Sequence, residues 1–181
     1  MVSSTATRND APSPGCFVLF STTSSLLSRS IRWATQSVVS HASIAFECST
    51  TGRVLVMEAA GGGFRGITWE RWQRENEIIS VFRIDVPTQQ WQEGLGEFCD
   101  TLGSPYDTVR LFREAARHLT QGWTQRFSWA NPQINAKGVL CADAVAAFLH
   151  RIGFAQFEFP LRWTPGALLD YADKEDAFVH M

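Results

Sequence analysis

Two strand-like segments, Ser40 to Glu47 and Arg53 to Ala59, are joined only by Cys-Ser-Thr-Thr-Gly, and this pair constrains the fold more than any other feature of the chain. Their length and the turn residues between them read as a β-hairpin, closed by Gly61-Gly62-Gly63. Cys16 to Phe20 is an apolar run that reads as a buried strand, and Ile78 to Val86 is a further strand ending at Pro87.

Helical spacing fills the intervals. Leu27, Ile31, Ala34 and Val38 recur at four, three and four positions, one apolar face of a helix whose leading Ser/Thr cluster supplies caps. Thr68 to Glu75 reads as a short helix capped by Thr68. Thr88 caps another, with Trp91, Leu95, Phe98 and Leu102 in register and Gly103 as its stop, and a further helix is expected over Thr108 to Leu119. Residues 120 to 137 read as a long surface loop. After Gly138, the residues Cys141, Val145, Phe148 and Ile152 share a helix face that Gly153 ends. Phe154 to Phe159 is an expected last strand, and Thr164-Pro165 opens a closing helix. The elements intermix without a βαβ cadence, so the expected class is α+β rather than a doubly wound sheet.

At 181 residues the chain is the size of one domain, expected over 15–181 behind a Ser/Thr/Ala/Pro-rich arm at 1–14 that is flexible or held by an assembly partner. Sixteen Lys+Arg against eighteen Asp+Glu leave a charge of -2 with no basic run, which excludes the electrostatic footprint of a nucleic-acid binder. No apolar run approaches the roughly 20 residues of a membrane span, and no signal peptide is legible, so a cytoplasmic protein is expected. Cys16, Cys48, Cys99 and Cys141 are scattered without a CxxC pair. With His41, His118, His150 and His180 they form no metal-ligand spacing, so neither metal nor cofactor is expected.

Cys141 stands at the first turn of its helix, where unpaired N–H groups and the helix dipole favour a thiolate and offer donors to an oxyanion. Service as a small buried hydrophobe is the competing role. A nucleophilic thiol needs an imidazole and a group to orient it. His150 is nine residues further along the same helix, about 13 Å at 1.5 Å per residue, which is too far. His41 begins a strand on which Ser43 and Ala45 share its face, small residues that leave room for a helix. Glu47 shares that face but lies about 20 Å away. Glu58 ends the partner strand: pairing in which residue numbers sum to 99 sets it opposite His41, and a sum of 100 puts the two on opposite faces. A plain strand-end surface charge is the other reading of Glu58.

Gly103-Ser104-Pro105-Tyr106, followed by Cys141 at a helix start, resembles the Gly-x-Pro-Tyr and nucleophile-helix motifs of NlpC/P60 cysteine peptidases. The histidine precedes the cysteine by 100 residues, an inverted order that resembles the circularly permuted branch, the YiiX-like and lecithin:retinol acyltransferase-like proteins. Pro14 to Phe20, Ser40-His41, Met57-Glu58-Ala59 and Pro105-Tyr106-Asp107 carry the likeness further. It implies a permuted papain-like α+β fold, a small antiparallel sheet packed against the nucleophile helix. It also implies a Cys141–His41–Glu58 triad working through an acyl-enzyme, with Tyr106 beside the nucleophile; Trp123 and Trp129, with Phe127 on the same loop, are read from the residues themselves as substrate-side aromatics suited to a lipid-like substrate, with core filling the competing role. The implied activity is an amidase or endopeptidase on cell-wall peptides. The alternatives are an acyltransferase or esterase on lipid-like substrates, and a catalytically silent module of a phage or secretion assembly, a system that would also carry the protein out of the cytoplasm. Among the thiols, Cys16 and Cys99 are expected to be buried and slow, Cys48 accessible with an ordinary thiol pKa, and Cys141 alone reactive at pH 6.

Overall fold

The computed structural model describes residues 15–106, 140–154, 157 and 163–181. The expectations for the arm at 1–14, the Thr108–Leu119 helix, His118 and the 120–137 loop with Trp123 and Trp129 lie outside these residues.

Six antiparallel strands form one sheet among the described residues. They are β1 (Cys16–Thr22), β2 (His41–Cys48), β3 (Arg53–Ala60), β4 (Gly63–Thr68), β5 (Glu77–Ile84) and β6 (Phe178–His180), in the order β4-β3-β2-β1-β5-β6. β1 lies in the middle, paired on both sides, and all seven of its residues are buried. That explains why its sequence is an apolar run instead of an alternation: both faces meet a core.

The helices among the described residues are α1 (Leu26–Thr35), α2 (Trp69–Glu75), α3 (Thr88–Cys99), α4 (Cys141–Arg151) and α5 (Pro165–Ala172). One face of the sheet, with Val18, Phe20, Ala42, Ile44 and Met57, packs on α3, α4 and α5 through Leu95, Phe98, Val145, Phe148 and Leu168. The other face, with Phe17, Leu19, Ala45 and Val56, packs on Trp69 and Trp72 of α2. Thr164 caps α5 by accepting the Ala167 N–H at 3.1 Å, with Pro165 at the first turn.

Three expectations need correction. Gly63 does not end the hairpin but opens β4, at φ +111°, where a Cβ would stand 2.6 Å from the Ser104 carbonyl oxygen. A glycine here lets two backbones touch, with Phe64 N–H donating to Ser104 O at 2.8 Å and Gly103 N–H to Phe64 O at 2.9 Å. Phe154 and Phe157 lie outside any strand. Phe157 packs on Trp163 and Tyr171 instead, and the last strand is β6, where the His180 ring meets Phe82 edge-on. Leu102 lies beyond the end of α3 and is exposed.

Candidate active site

The hairpin register pairs Ile44 with Met57 and Ala45 with Val56, so partner numbers total 101. His41 and Glu58 therefore share a face but stand diagonally, not directly opposite as a total of 99 would have it. His41 Nε2 and Glu58 Oε2 are 2.8 Å apart. Glu58 is 2% exposed, and a carboxylate so buried persists only when it is fully partnered. The Trp72 indole N–H donates to Oε2 at 3.0 Å, and Arg65 donates to Oε1 from Nε at 2.8 Å and from Nη2 at 2.5 Å.

Cys141 stands beside the same imidazole, close enough for its charge and a thiol–imidazole hydrogen bond to act on the ring. Because Nε2 is occupied by Glu58, Nδ1 is the nitrogen left for sulfur. The helix that starts at Cys141 does not approach on the side of Ser43 and Ala45, where their small size leaves room for one. Cys141 belongs to the core on the Ala42 and Ile44 face, whereas Trp72, which holds Glu58, belongs to the other core. His41, the first residue of β2, bonds to a member of each side. Ser43 and Ala45 make room for the indoles of α2 instead of for α4.

Burial opposes charge on His41, but the charge and hydrogen bond of Cys141, joined by those of Glu58, more than offset it and push the imidazole up to about 10. Burial likewise opposes charge on Glu58, yet the bonds from His41 and Arg65 hold its carboxyl below the usual range. Burial, with the negative charges of Cys141 and Asp143 behind it and Cys141 within hydrogen-bond reach, raises the Tyr106 phenol well above its ordinary value. It stays a donor. The backbone contacts of Gly103 and Ser104 with Phe64 fix the segment that delivers it. Leu140, at the N-cap of α4, makes no side-chain cap bond, which leaves the first-turn N–H groups uncapped by that residue.

The structure thus gathers His41, Glu58, Cys141 and Tyr106. Arg65 and Trp72 were not read from the sequence. The legible signal was Glu58 itself: a carboxylate inside an apolar hairpin requires a cation, and Arg65 stands directly opposite it in the β3–β4 ladder. The ranking of thiols also changes. Cys16 is buried and its thiol is raised by that burial, but Cys99 is exposed, and hydrogen bonds from Thr51 and Thr50 lower the Cys48 thiol below its ordinary value.

The architecture is an α+β, YiiX-like fold. Among solved structures, the chain is similar to that of the metalloprotein yiiX from Escherichia coli O157:H7. The TM-score is 0.52 and the identity 20%, over 94% of this chain and 96% of that one. A scan against protein-family models finds no match, and a search of curated proteins finds none.

Proposed function

We propose that the protein is a thiol hydrolase in which Cys141 is the nucleophile, His41 the base and Glu58 the residue that orients the ring. The observation that carries this reading is the continuous chain from Cys141 through His41 to the buried Glu58. His41 takes the thiol proton through Nδ1, and the sulfur attacks a carbonyl carbon. The electron pair displaced onto oxygen is received by the first-turn N–H of α4 and the Tyr106 hydroxyl. Collapse of this intermediate expels the amine, which takes the proton from His41, and leaves an acyl-thioester. Water, deprotonated by His41, then releases the acid and regenerates the thiol.

Amide bonds of cell-wall peptides are the first substrate class. The second is an ester or acyl group on a lipid-like molecule, favoured by one feature: Leu26, Leu27, Trp33 and Val38 are exposed on and just after α1, the helix that leads into His41.

The solved neighbour is a metalloprotein by its description, and the described residues here do not fit such a centre. Among the described residues no three His, Cys, Asp or Glu side chains group to hold an ion, and the Glu58 oxygens are already committed to Arg65, Trp72 and His41. No step is therefore assigned to a metal.

Brief iodoacetamide treatment at pH 6 with peptide mapping tests the site, and a panel of muropeptides and acyl lipids tests the substrate. Label should fall first on Cys141 and drop sharply in His41→Ala. Equal labelling in the two proteins, or no turnover on either substrate class, would leave a silent module.

A further inference from the structure

We propose that Arg65 and Trp72 are positioning residues for this site, holding Glu58 ionised and aimed at His41 so that the transferred proton rests on the imidazole and is not passed on to the carboxylate. The inference rests on the hydrolase reading above and goes beyond it to what keeps the third member in working order.

The geometry is specific. Arg65 is the direct ladder partner of Glu58, so the strand register itself presents the guanidinium fork to Oε1. Trp72, fully buried, donates to Oε2, the oxygen that also meets His41 Nε2. Each carboxylate oxygen thus has a fixed donor before the histidine is counted, and neither can swing away from the ring. The fork is held from behind: Arg65 Nη2 reaches Glu75 Oε2 at 2.7 Å, and Glu75 Oε1 accepts from Arg71 Nε at 3.0 Å. A row of alternating charges therefore runs from His41 through Glu58, Arg65 and Glu75 to Arg71 at the surface of α2.

The charged or titratable groups facing the pair can be named element by element. β4 supplies Arg65, α4 supplies Cys141, and α2 supplies Glu75 acting through Arg65. On the far side of Cys141, Tyr106 feels the charges of Cys141 and Asp143. Arg65 is thus the positive group that balances Glu58 on the side away from His41. Without it, a carboxylate buried between a tryptophan and an imidazole takes up a proton at a higher pH, and a neutral Glu58 no longer supports an imidazolium. Loss of the cation also makes proton removal from the Cys141–His41 pair harder. The two act differently: an uncompensated Glu58 charge raises the pH at which Cys141 becomes reactive, and a neutralised Glu58 cuts the share of Cys141 held as thiolate against imidazolium, so either way labelling at pH 6 slows.

The test is the pH profile of Cys141 alkylation by iodoacetamide in the full chain, measured for the wild type, Arg65→Met, Arg65→Lys, Trp72→Phe and His41→Ala, with thermal melts recorded alongside. Arg65→Met should move the midpoint of the acid limb up by about one pH unit, which is roughly tenfold slower labelling at pH 6. Arg65→Lys keeps the charge without the fork and should recover part of that shift. Trp72→Phe should move the limb in the same direction by less. If Arg65→Met does not fold, the lysine and phenylalanine variants read the same limb. A role in stability alone would lower the melting temperature and leave both the midpoint and the labelling at pH 6 in place, and that result overturns the inference while His41→Ala still separates from wild type. Should His41→Ala match wild type instead, the hydrolase reading itself fails and takes the positioning role with it.

Discussion

α1 and α4 both carry helical apolar spacing, yet they sit on the molecule in opposite senses. α4 buries seven residues, Cys141, Ala142, Ala144, Val145, Ala146, Phe148 and Leu149, against the sheet. α1 buries only Ser28, while Leu26 at 78% and Trp33 at 66% exposure point away from the body. Its attachment is polar. Ser28 Oγ lies 3.0 Å from Thr22 Oγ1 and 2.7 Å from Ser40 Oγ and accepts the Thr23 N–H at 3.1 Å, while Ser25 caps the helix by accepting the Ser28 N–H at 3.1 Å. Periodicity reports that a helix has an apolar face, and the tertiary fold decides whether that face turns inward. Here a hydroxyl cluster won the inner side of α1.

The contrast can be broken in four ways. Phe148→Ala, in the close-packed helix, should cost about 3–5 kcal/mol in urea unfolding, since the cavity is lined by Phe98 and Gly94 neighbours that cannot easily collapse. A loss under about 1 kcal/mol would mean that α4 is as loosely seated as α1. The second is a pH effect that belongs to the α4 end alone. His41 binds its proton more tightly in the folded chain, so its contribution is complete below about pH 6.5 and drains away as pH rises toward about 10. Glu58 works in reverse: its contribution is complete above the ordinary carboxylate range and is lost as pH falls through its lowered value. The melting temperature of the wild type should accordingly fall between pH 7 and 10 more steeply than that of His41→Gln, as followed by circular dichroism.

Ser28→Ala removes the hub that fastens α1, leaving Thr22 and Ser40 to satisfy each other at 3.3 Å. It should cost about 1–3 kcal/mol and speed hydrogen exchange in α1 ahead of the sheet. The smallest effect is expected from Leu26→Ser with Trp33→Ser, which should stay within about 0.5 kcal/mol of wild type. A larger loss would show that the exposed face is covered by something the folded chain provides.

The hairpin, the helix that starts at Cys141 and the closing helix were legible because each rests on local rules: turn residues, apolar spacing and a Thr-Pro cap. β4 was not, since Gly63-Phe-Arg-Gly-Ile-Thr holds two glycines that read as turn, and its strand state comes from pairing with β3 and from the close backbone approach at Ser104. Losing β4 meant losing Arg65. The face taken by α4 was misjudged for a similar reason. Ser43 and Ala45 are small because two indoles of α2 lie on their side, stacked with centroids 5.5 Å apart, and no rule of spacing tells a tryptophan's neighbour from a helix's. His41 and Glu58 were recoverable because a polar residue in an apolar strand stands out. Cys99 was placed wrongly because a residue next to Phe98 on a helix need not share its face.

Chain order gives the site a consequence for its own making. His41, Glu58, Arg65 and Trp72 all fall within the hairpin, β4 and α2, whereas Cys141 follows Trp72 by 69 residues. A chain that emerges from the ribosome amino end first has therefore translated His41 and every residue that cages Glu58 before the sulfur exists. The thiol meets the imidazole only when α4 docks on β2 and β3, so a nascent or truncated chain carries His41 and its partners without the sulfur.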